Sequence, residues 1–74
     1  MKLTVSQAMT RLLRSRGEEL SRAEERFRTF ALVHLENRSW SVSAQEQACR
    51  AYNIFLQHPL DKETQEIAYG MLQF

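Results

Sequence analysis

The stretch Ser43-Ala44-Gln45-Glu46-Gln47-Ala48-Cys49-Arg50-Ala51-Tyr52-Asn53-Ile54-Phe55-Leu56 decides the fold. Wound at about 100° per residue, its side chains from Ala44 to Leu56 put apolar surface over well over half of a helical circumference. Such a helix sits at the centre of a domain or shares a face with a partner. It is predicted over 44–57. His58-Pro59 ends it, because a proline ring disfavours helical geometry in the residue before it.

Outward from this helix the same start signal recurs. An apolar residue precedes a capping residue at Leu3-Thr4, Leu20-Ser21, Val42-Ser43 and Leu60-Asp61. Three of these continue as capping boxes, with Gln7, Glu24 and Glu46 at the third helical position. Asp61 caps without a box, and Glu63 favours the positive end of the helix dipole. Gly17 and Asn37 suit the left-handed residue that closes a helix. Connections are then short, as between antiparallel helical neighbours.

Apolar periodicity fills in the other three helices. The first, near 5–16, aligns Val5, Ala8, Met9, Leu12 and Leu13, with Arg11 and Arg14 opposite. The second, near 22–36, aligns Ala23, Phe27, Phe30, Ala31, His34 and Leu35. The fourth, near 62–73, aligns Thr64, Ile67, Ala68 and Met71, with Leu72 beside them. The expected fold is therefore all-α, a single domain over 1–74 built as a compact bundle of four short helices. Its alternative has three helices, with 61–74 docked loosely or exchanged between protomers.

Composition narrows the function. The chain has 74 residues, two Gly, one Pro and one Cys. A chain this short has a thin stability margin, usually relieved by disulfides, a metal, regular helix packing or an oligomer. Cys49 alone cannot form an internal disulfide, and Cys49, His34 and His58 lack the spacing of a tetrahedral zinc site. No metal or cofactor is expected. No apolar run is long enough to span a membrane. Arg11, Arg14 and Arg16 interrupt the apolar positions of the first sixteen residues, so no signal-peptide core is expected there, and a reducing cytoplasm suits the lone thiol. Residues 1–38 hold eight basic against five acidic residues, a charge of +3, whereas 39–74 hold two against four, a charge of −2.

The candidate chemistry is thin. Cys49 has only His34 and His58 as conceivable bases and no flanking motif, so a buried structural thiol is expected. His34 falls on an apolar stripe, as a core histidine would. His58 can cap the carbonyls that end the third helix. Glu18/Glu19 and Glu24/Glu25 point in different directions, and Glu25 is spaced to pair with Arg28 or Thr29. Gly17 and Gly70 stand apart and make no phosphate loop. Catalysis and a small-molecule substrate are not expected.

Two binding readings remain. A four-helix domain has difficulty covering Leu32, Val33, Trp40 and Ile54, and surplus apolar surface usually marks an interaction site. The leading expectation is a non-enzymatic regulator or adaptor that binds a protein partner, as a homodimer, through the second and third helices. Trp40 and Tyr52 would anchor it, Leu32, Val33 and Ile54 would flank them, and Arg38 and Arg50 would supply charge. The alternative for Trp40 is a lid that closes the end of the bundle. The runner-up function is a nucleic-acid-binding regulator that uses Lys2, Arg11, Arg14 and Arg16. A helix-turn-helix suits neither junction: one puts Glu24 and Glu25 against phosphates, the other makes the most apolar helix the reading helix. A third reading is a structural assembly subunit, which predicts higher-order oligomers.

Overall fold

The computed structural model describes residues 2–14 and 22–73, and its helices are α1 (Val5–Arg14), α2 (Arg22–Asn37), α3 (Val42–Gln57) and α4 (Lys62–Met71). They form a small all-α bundle with α3 at its centre: α1, α2 and α4 all pack on it, α4 most extensively. The three alanines at 44, 48 and 51 form one fully buried stripe. Without side-chain bulk there, a neighbouring helix can come close. Gln47, beside that stripe, donates through Nε2 to the Met71 carbonyl at 3.0 Å, which puts α4 against it.

The core is aromatic. Phe27 of α2 stacks on Phe55 at 4.8 Å and meets Tyr52 edge-on at 5.2 Å, and all three side chains are fully buried. Tyr69 of α4 lies 5.8 Å from Phe27 and 4.9 Å from Phe30. Leu3, Ala8, Leu12, Ala31, Leu35, Cys49, Ala68 and Leu72 complete the buried set among the described residues.

The caps divide into those where expected and those displaced. Thr4 and Gln7 form the reciprocal box: the Gln7 amide donates to Thr4 Oγ1 at 3.2 Å, and the Thr4 amide donates to Gln7 Oε1 at 3.0 Å. Asp61 caps α4 by accepting from the Thr64 amide at 2.9 Å and the Thr64 hydroxyl at 2.7 Å. Those two bonds, hydroxyl first, hold its carboxyl below the usual carboxylate range. The Ser21 cap and Gly17 lie outside the described residues.

The corner between α2 and α3 corrects two expectations. Asn37 is still helical, and the left-handed residues are Ser39 (φ 56°) and Trp40 (φ 57°). The Trp40 amide reaches back to the Leu35 carbonyl at 2.8 Å, and the Ser39 amide to Glu36 at 3.0 Å. These are the paired bonds of a Schellman closure, with Ser39 in the position that glycine usually takes. The closure turns the chain so sharply that α3 starts two residues early. Its cap is then Ser41, whose Oγ accepts from the Ala44 amide at 3.1 Å, and Ser43 falls inside the helix.

One polar chain ties three helices. The buried Tyr52 hydroxyl of α3 donates to Glu24 of α2, and Glu24 in turn pairs with Arg11 of α1 at 3.6 Å. Burial first, and then the hydrogen bond and charge of Glu24, push the Tyr52 phenol well above its ordinary pKa. Among the described residues no helix is long and apolar enough to cross a membrane.

Two outcomes are expected in thermal unfolding. Tyr52→Phe removes a hydrogen bond to a charged group and should cost about 1.5–3 kcal/mol. Ser39→Gly relieves a left-handed side-chain residue and should stabilise by about 0.5–1 kcal/mol, a rise of roughly 3–6 °C for a chain this size. An unchanged midpoint in Tyr52→Phe would mean that the phenol contributes packing alone.

Candidate interaction surfaces

The residues expected to form one interface are spread over the molecule. Tyr52 is fully buried, so it is a core ring and not a surface anchor; its apolar face is consumed by Phe27 and Phe55. Leu32 and Ile54 are half-buried and pack against the core. Val33 stays 52% exposed, Trp40 is 38% exposed at the α2–α3 corner, and Arg38 and Arg50 are exposed. The expected surface on α2 and α3 therefore breaks up, because α3 turns most of its apolar girth inward.

Three concave regions replace it. The first lies between α2 and α4, where aromatic side chains bridge helices whose backbones stay apart. This open, shallow groove of about 650 Å³ is lined by Glu25, Arg26, Phe30, Val33 and His34 of α2 and by Tyr69 of α4. Its lining is mainly apolar. His34 is not a core residue; its half-buried ring tilts over Phe30 at 4.5 Å. Glu25 is engaged by Arg28 at 3.3 Å.

The second lies where residues 2–5 cross α3. The Leu3 side chain is buried, and its backbone is held at both ends by one side chain: the Leu3 amide donates to Asn53 Oδ1 at 2.7 Å, and Asn53 Nδ2 donates to the Leu3 carbonyl at 2.9 Å. That carbonyl also accepts from the Cys49 thiol at 3.5 Å. Asn53 thus imitates a neighbouring strand, satisfying both polar groups of an otherwise unpaired residue. Cys49 lies buried beneath this segment. An asparagine on a largely apolar helix is the sequence signal for this contact.

The third is a shallow groove beside α1, lined by Val5, Met9, Leu13, Arg14 and Gln45.

The basic side chains differ in how they are engaged. Arg11 is committed to Glu24, and Arg28 donates to the Leu12 carbonyl as well as to Glu25. Lys2 and Arg14 are exposed at the two ends of α1, and Arg16 lies outside the described residues. Among the described residues no three His, Cys, Asp or Glu side chains gather as a metal site. His58 ends α3 through its backbone, its carbonyl accepting from the Asp61 amide at 3.1 Å.

No protein-family model, curated protein or solved structure gives a match to this chain.

Asn53→Ala should free Leu3 from α3 and expose the thiol below it. Loss of the two bonds, worth about 1–3 kcal/mol, should speed labelling of Cys49 by a thiol reagent roughly ten- to a hundredfold under native conditions. Unchanged labelling would mean that the Leu3 side chain alone holds the segment.

Proposed function

We propose that the chain is a small non-catalytic protein-binding module, a regulator or adaptor, that self-associates across the α2–α4 groove. The observation that carries this reading is the groove itself, where Phe30, Val33 and Tyr69 present adjoining apolar surface. An open apolar face with a polar rim is what a helix-to-helix contact between two copies needs.

The occupant is α2 of a second copy. Antiparallel pairing opposes the two helix dipoles. Val33, more than half exposed, becomes the central knob. A reducing cytoplasm is part of the same proposal, as it keeps the lone Cys49 a free thiol. The nucleic-acid reading draws less support, because Glu24 already neutralises Arg11.

Light scattering on the purified chain tests the proposal. At about 100 µM, well above the dissociation constant of a specific contact of this size, the wild-type chain should be a dimer. Val33→Asp should be a monomer with unchanged helical circular dichroism, since that side chain lies outside the core. A monomeric wild-type chain, or a dimer that survives Val33→Asp, overturns it.

A further inference from the structure

With Val33 assigned to the α2–α4 groove, the remaining large apolar side chains exposed among the described residues fall into two groups. Four surround Gln45. Val5 and Leu13 line the shallow groove with it, Gln45 Nε2 donates to the Trp40 carbonyl at 2.8 Å, and Val42 (72% exposed) lies one turn before it on α3. The other two are Leu60 (83% exposed), at the corner that leads into α4, and Ile67 (53% exposed), on α4 itself.

The two groups carry opposite charge. Helix α1 has no acidic residue, and Arg14 borders its groove. The segment from Leu60 to Gly70 carries Asp61, Glu63 and Glu66 against Lys62 alone. Glu63, Ile67 and Gly70 are spaced to share one face of α4, with Glu66 beside them. Gly70 leaves that face open: a Cβ placed there would meet nothing within 4 Å.

We propose that these surfaces are the two halves of one contact, in which α1 of one copy lies against α4 of the next, head to tail. Both helices have ten residues and are about 15 Å long. Laid antiparallel, they bring Arg14 to Glu63 and Glu66, Leu13 beside Ile67, and Met9 of the same groove over the bare backbone at Gly70. The two patches differ, so the contact is heterologous and builds rings or chains of copies. It is small and partly ionic, so it forms at high protein concentration and weakens with salt. It uses neither wall of the α2–α4 groove and does not depend on that groove being a dimer seat.

Sedimentation velocity tests it in the Val33→Asp background, so that groove pairing does not contribute. Assembly should be negligible at about 100 µM protein, grow toward about 2 mM at low salt and shrink at about 0.5 M salt. Arg14→Glu should weaken association at least about tenfold, and so should the double variant Glu63→Arg/Glu66→Arg. An equimolar mixture of these two chains should assemble again, because each unlike contact then pairs opposite charges. Gly70→Leu should weaken association by filling the space meant for Met9. A chain that stays monomeric throughout overturns the proposal. So do variants that assemble like their parent, or a mixture that fails to recover.

Discussion

The bundle depends on how α3 accommodates Tyr52. A phenol at the centre of the most apolar helix brings one polar atom into a site that is otherwise hydrocarbon, and a buried hydroxyl without a partner is costly. Glu24 supplies the acceptor. A carboxylate with little exposure then needs its own counter-charge, which Arg11 provides. One buried oxygen thereby fixes the relation of α1, α2 and α3, while the alanine stripe and Gln47 fix α4. Residues with no role in the apolar pattern, Glu24 and Arg11, are committed by a single ring.

Much of this architecture was legible in the sequence, and the failures have physical causes. Helix number, type and order follow from 3.6-residue periodicity and from caps at Thr4 and Asp61, signals that act within one turn. The Ser43 cap was misplaced because two consecutive left-handed residues, Ser39 and Trp40, turn the chain without the glycine that normally announces such a turn. The apolar excess was also legible, but its placement was not. Tyr52 and Val33 both read as interface residues along the chain, and only the packing of α2 and α4 on α3 sends one into the core and leaves the other on the groove. Asn53 reads as a polar side chain on an apolar helix; its partner, the Leu3 backbone, lies fifty residues away.

The exposed apolar surface is distributed over several faces of the bundle. A groove lined by aromatic rings, a basic-edged patch around Gln45 and an acidic-edged face on α4 are three separate opportunities for contact. Their charges repeat at the scale of surfaces the division between the first and second halves of the sequence.

Trp40 is the only tryptophan in the chain, and it stands on the left-handed corner, well outside the Phe27–Tyr52–Phe55 core. The molecule thus has one strong indole fluorophore, placed on a left-handed backbone residue. Its emission reports the corner between α2 and α3 and whatever covers that corner, while the state of the interior is left to the weaker signals of the tyrosines.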